Sequence, residues 1–184
     1  RFLSFINVRN MFRLVSINGL LAVGMTFVCL TGGIDLSVGA VMGCAGMYSA
    51  YFAQVAMNQP AIVAIGVGVG VGLLIGVFNG VCVAYLKVPA FLGTLGSMSI
   101  AKSLTFLLTD SKPIPNLSES FKFIGGGMIG NVLPIPVIIF AVILLVCFLL
   151  LYKTRYGRYV FAVGGNANAA RVSGINVKPV SYTH

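Results

Sequence analysis

Tryptophan is absent from this chain of 184 residues, and only three acidic side chains stand against 12 Lys and Arg. Charged residues make up 8% of the chain and mean hydropathy is +1.01, whereas an ordinary soluble domain carries about 25% charged residues. The scarcity excludes a soluble globular domain and describes an integral membrane protein. In a soluble domain the net charge of +9 would point to nucleic acid, but here the basic residues gather at the two ends and between apolar runs. That is the pattern of membrane topology, and no nucleic-acid partner is expected. Cys29, Cys44, Cys82 and Cys147 each lie inside an apolar run without the close spacing of a metal site, so no metal or other cofactor is expected. A phosphate-binding loop ending in Gly-Lys-Ser or Gly-Lys-Thr is missing as well, so the chain is not expected to be an enzyme that hydrolyses ATP. The first residues, Arg1-Phe2-Leu3-Ser4, offer neither a starting Met nor a small-residue cleavage site, and a chain that begins inside a longer protein is expected.

What is present is a series of apolar runs, and the fold class expected from them is an all-α polytopic bundle with about five spans. Residues 14–32 carry no charge over about 19 positions, enough to cross a hydrocarbon core roughly 30 Å thick. Residues 38–57, 61–86, 89–109 and 133–152 supply the other four. Between the first two lies Gly32-Gly33-Ile34-Asp35-Leu36-Ser37-Val38-Gly39, where a carboxylate at mid-bilayer would cost on the order of 2.5–3.5 kcal/mol. A turn removes that cost: Gly32 and Gly33 let one helix end, and Asp35 or Ser37 caps the next. The alternative is an intramembrane carboxylate that binds a proton or cation. In the third run Gly68, Gly72, Gly76 and Gly80 recur every fourth residue, a stripe that lets a neighbouring helix approach, or else a face that conducts a ligand. Pro60 is placed to open that helix. The fourth run is more polar, with Thr94, Ser97, Ser99, Lys102, Ser103 and Thr105. Lys102 either snorkels to the interface or stands in a path.

Residues 110–132 read as a loop or short surface helix. Gly125-Gly126-Gly127-Met128-Ile129-Gly130 matches the spacing of a dinucleotide loop, but no strand precedes it and a span follows directly, so the match is accidental. After the fifth run come Lys153, Arg155, Arg158, Arg171 and Lys178 without an acid, which places this segment in the cytoplasm. Five spans then put Arg1, Arg9 and Arg13 on the opposite side, against the same rule. Within the segment Asn166 is a good N-cap, Ala167 to Ser173 can form a short helix, and Gly174 suits the left-handed position beyond its end. Isolated helices below about 12–15 residues are marginal in water, so this one requires a surface to dock on.

Four segments together resemble a family, the membrane permease subunits of bacterial ABC importers for ribose and other simple sugars. They are Val23-Gly24-Met25-Thr26 with the Gly32 to Gly39 turn; Pro89-Ala90-Phe91-Leu92-Gly93-Thr94-Leu95-Gly96; Pro134-Ile135-Pro136; and Thr154-Arg155-Tyr156-Gly157-Arg158-Tyr159 leading to Gly164-Gly165-Asn166 and Ala169-Ala170-Arg171-Val172-Ser173-Gly174-Ile175-Asn176. The resemblance implies a multi-pass subunit of the bacterial cytoplasmic membrane that works by alternating access. Two copies pair around one path, a periplasmic sugar-binding protein delivers the sugar, and cytoplasmic ATP-binding subunits dock after the sixth span. Gly164, Gly165, Asn166, Ala169, Ala170, Arg171 and Gly174 would then be the coupling residues, within a partial permease domain over 1–178 whose coupling loop is 153–178. Gly32, Gly33, Asp35, Ser37, Gly39, Gly72 and Gly76 are assigned to the turn and to packing. One span before residue 1 is missing from the family pattern, which relieves the charge conflict, and residues 179–184 are a divergent tail where the family continues. The rival function is an ion-gradient-driven secondary transporter or channel using Asp35 and Lys102, and the blander one is a membrane scaffold.

Overall fold

The computed structural model describes residues 4–130 and 133–181, so Arg1, Val132 and residues 182–184 of the expected tail lie outside it. The first helix, α1 (Phe5–Leu30), starts well before the apolar run at residue 14, because Ser4 caps it by accepting from Asn7 N at 3.4 Å. Arg9 and Arg13 are therefore helical. α2 (Val38–Phe52) is followed by a 3-10 turn at Val55–Met57, α3 (Ala61–Ala84) opens directly after Pro60 as the proline implies, and α4 (Ala90–Thr109) completes the first group. α5 (Glu119–Gly126) and the hairpin β1 (Met128–Ile129) and β2 (Leu133–Pro134) occupy the expected surface segment. There Gly125 and Gly126 end a helix rather than open one, which removes the dinucleotide reading. α6 (Ile135–Lys153), α7 (Arg155–Gly165), α8 (Ala167–Val172) and α9 (Val177–Ser181) follow.

Among the described residues α1, α3, α4 and α6 are long and apolar enough to cross a membrane. The expected span 38–57 is a correction: its helix stops at Phe52 after 15 residues. Beyond Phe52 the backbone turns to the segment after α4, with Val55 N donating to Asn116 O at 2.9 Å and Ser118 N donating to Ala53 O at 2.8 Å. The apolar composition of residues 55–57 hides that exchange of partners.

α2 and α3 form the most extensive helix pair. At its centre a Cβ on Gly68 would lie 3.0 Å from Ser49 Cβ and 3.2 Å from Ala45 O, and Ser49 Oγ donates to Ala64 O at 2.8 Å. Close approach through small residues with an interhelical hydrogen bond is the way helices associate where lipid supplies no hydrophobic drive. α1 lies against α6, where a Cβ on Gly19 would lie 2.7 Å from the Phe140 ring. Arg13 Nη2, near the start of α1, donates to Gly125 O in the last turn of α5 at 3.0 Å, a favourable place for a cation. The other end of α1 meets α7, so Arg9 and Arg13 lie at the end opposite Arg155, Arg158 and Arg171. The charge conflict read from the sequence is present in the fold.

Candidate functional site

At the end of α6 the chain reverses through Thr154, whose extended backbone (φ −106°, ψ 163°) makes it an N-cap. Its Oγ1 donates to Leu150 O at 2.5 Å and accepts from Gly157 N at 3.3 Å. This starts α7, a helix that the sequence reading did not foresee. Gly157, Val160 and Val163 recur every third residue and form its buried face, while Arg155, Arg158 and Tyr159 are exposed. Two glycines on α7 permit backbone contact: a Cβ on Gly157 would overlap the carbonyl of Leu151, and one on Gly164 would overlap the carbonyl of Leu30 at the end of α1. Burial pushes the Tyr156 phenol above its ordinary value.

α8 has the caps expected of it. Asn166 Oδ1 accepts from Asn168 N and Ala169 N, both at 3.0 Å. At the other end Gly174 (φ +82°) allows Gly174 N to bond Arg171 O at 3.1 Å and Ile175 N to bond Ala170 O at 3.0 Å. These are the paired bonds of a Schellman motif. Ser173 is its C-cap rather than its last residue. Ala170 is buried in an apolar cluster with Leu151, Val160, Val163 and Val180, against which Phe27, Leu30 and Ile175 pack. Val180 belongs to α9, which crosses the boundary expected at 178. Ala169 and Arg171 point away from the cluster, and so does Val172, 90% exposed, which the sequence reading left out of the site. Gly165 has nothing within 4 Å of a built Cβ.

The second constellation is the turn between α1 and α2. Gly32 (φ +79°) ends α1 with the same motif, Gly32 N bonding Cys29 O and Gly33 N bonding Val28 O, each at 3.0 Å. Ser37 does not cap α2 with its side chain, because its backbone is already helical (φ −83°, ψ −16°). Instead Asp35 Oδ1 accepts from Ser37 N at 2.7 Å and from Ser37 Oγ at 2.6 Å, an Asx turn that closes the segment before the helix starts. Ser37 is buried and its Oγ also accepts from Asn79 Nδ2 of α3 at 2.9 Å. From α4, Thr94 Oγ1 accepts from Leu36 N at 3.2 Å while directing its own proton to Ala90 O at 2.8 Å. Asn79 was not singled out from sequence. The available signal was an amide inside an apolar span, where a polar group needs a partner.

Gly72 and Gly76 stand with Asn79 on the wall of a cavity of about 400 Å3, with Asp35 and Ser37 at its polar end and Leu20, Met25 and Val41 among its apolar walls. The expected packing stripe therefore divides. Gly68 meets α2, whereas a Cβ on Gly72 or Gly39 would touch nothing within 4 Å. Asn79 Oδ1 is buried without a partner. Lys102 is exposed on α4, away from this cavity's lining. No cluster able to hold a metal ion occurs among the described residues.

The chain, matched over residues 7–184, belongs to the family described as branched-chain amino acid transport system / permease component. With its apolar helices it is a multi-pass protein of the bacterial inner membrane. Its curated relatives are narrower in name. It is 39% identical to the ribose import permease protein of Haemophilus influenzae, over 97% of this chain and 56% of that protein. The ribose import permease protein of Bacillus subtilis is 40% identical, over 97% and 55% respectively. An L-arabinose transport system permease protein of Escherichia coli is 37% identical, over 96% and 53%. The chain thus spans about half the length of the curated relatives it matches. No solved structure matches it.

Proposed function

We propose that this chain is part of the transmembrane subunit of an ATP-driven importer for a ribose-type monosaccharide, with segment 153–178 as the coupling loop of a permease domain over 1–178. In this reading a second copy of the subunit completes the path, and a periplasmic binding protein delivers the sugar. ATP is hydrolysed in separate cytoplasmic subunits, so this chain performs no catalysis itself. The observation that carries the reading is α8. A helix of six residues is capped at both ends, seated on a buried apolar cluster through Ala170, and presents Arg171 and Val172 outward. Such a helix is far below the length that stands alone, and its outer face is free for a partner. The names of the relatives supply the sugar class. Alternating access then follows from a rigid-body change driven through this end of the bundle.

The test uses the full-length permease with its ATP-binding subunits. Arg171→Glu is expected to leave membrane insertion unchanged while reducing capture of the ATP-binding subunit and sugar uptake, and Arg171→Lys is expected to be milder. Wild-type capture and uptake in the Arg171→Glu permease would remove Arg171 from the coupling site. Uptake that continues without ATP and stops when ion gradients are collapsed would replace the importer with an ion-driven carrier.

A further inference from the structure

The two constellations are joined. Gly164 of α7 rests on the carbonyl of Leu30, and Leu30 is the last residue of α1, directly before the turn that Asp35 closes. That turn is tied to α3 through Asn79 and Ser37, and to α4 through Thr94 and Leu36 N. Asn79, Ser37 and Thr94 are all essentially inaccessible to solvent, so water does not compete for these bonds. Among the spans, α6 is joined to α7 by the chain itself and α3 is touched by α9, but α4 has no extensive contact with α7, α8 or α9. A displacement of α7 has two routes to α4, one through the turn and one through α9 and α3, and the turn is the one held by buried hydrogen bonds.

Resting on the coupling proposal above, we infer that Thr94 and Asn79 are positioning residues that transmit movement of the α7–α8 end, received at the Gly164–Leu30 contact, to α4 and α3. The sugar-conducting change then engages several spans together instead of bending α6 alone. Interior contacts of this kind carry coupling because the packed interior moves between discrete arrangements. The hydroxyl of Thr94 and the amide of Asn79 act by holding the turn, and neither has to touch the sugar.

The experiment uses the full-length permease with its ATP-binding subunits and sugar-binding protein in vesicles, and reads ribose moved per ATP hydrolysed in assembled complexes. Thr94→Val keeps the shape of the side chain and removes the acceptor for Leu36 N; Asn79→Ala removes the donor to Ser37. For each, capture of the ATP-binding subunit is expected to stay at wild-type level while ribose moved per ATP falls at least about fivefold, the lower range of ordinary coupling factors. Thr94→Ser, which retains the hydroxyl, is expected to restore the ratio. An unchanged ratio in Thr94→Val and Asn79→Ala overturns the inference, and so does an equal loss in Thr94→Val and Thr94→Ser. Loss of capture in Thr94→Val overturns it too, by moving the effect to the docking surface. Failure of the coupling reading is distinguishable, since it shows as ribose uptake that continues without ATP and stops when ion gradients are collapsed.

Discussion

The bundle and the α7–α9 end differ in what they bury: the bundle encloses small and polar residues, the end an apolar cluster. Within the helices α1 to α4 and the turn that joins α1 to α2, six polar residues are buried: Ser16, Ser37, Ser49, Asn79, Thr94 and Ser97. At the α7–α9 end the buried cluster is apolar, with Leu151, Val160, Val163, Ala170 and Val180. Large hydrophobic side chains such as Leu73, Leu74 and Leu107 are exposed on the spans. Each region hides what its surroundings do not welcome. Lipid is as apolar as leucine, so span helices gain little by burying leucine and instead enclose hydroxyls and amides that would be unpartnered outside. In the coupling-loop reading proposed above, the short helices face water, where apolar burial is the driving force.

Substitutions can break or sharpen that contrast. The largest effect is expected from Val160→Asp, which puts an unpaired carboxylate into the apolar cluster at a cost of about 3–5 kcal/mol. The spans should still insert while segment 153–178 becomes open to protease; retained protection would show that the cluster does not hold this end. Within the bundle, Gly68→Ala should lower stability in detergent by about 1–3 kcal/mol by forcing α2 from α3. Gly72→Ala meets open space and should be neutral or gain up to about 1 kcal/mol in helix propensity. Equal melting temperatures for the two variants would restore the glycine stripe as one surface. Asn166→Ala removes the α8 cap for about 1 kcal/mol, read as faster hydrogen exchange at Ala169 N. The smallest loss should come from Ser49→Ala, about 0.6 kcal/mol on thermal unfolding, as for a typical hydrogen bond between membrane helices.

Features set by neighbours in the chain were legible, and those set across the fold were not. Asn166, Gly174, Gly32 and Gly33 act on residues within a few positions of themselves, so their caps and helix ends follow from residue type alone. Asp35 was legible as a turn residue. The role of Ser37 was not, since its hydroxyl is spoken for by Asp35 and by Asn79 from 42 positions away. α7 escaped notice because its apolar face is only Val160 and Val163, with Gly157 and Gly164 completing it. A glycine shows no pattern until the backbone it touches is known. Gly68 and Gly72 are identical in sequence terms, and only the position of α2 separates a contact from a cavity wall.

The early stop of α2 has a consequence for the lipid around it. Fifteen residues rise about 22 Å, against a hydrocarbon core of about 30 Å. A helix that much too short would ordinarily draw the leaflet inward. Here the antiparallel bridge between Gln54 and Leu117, with the backbone bonds flanking it, continues the closed hydrogen bonding where the helix leaves off. The short end of α2 is thus closed off by main chain drawn from the surface segment, and its last backbone groups are partnered by protein.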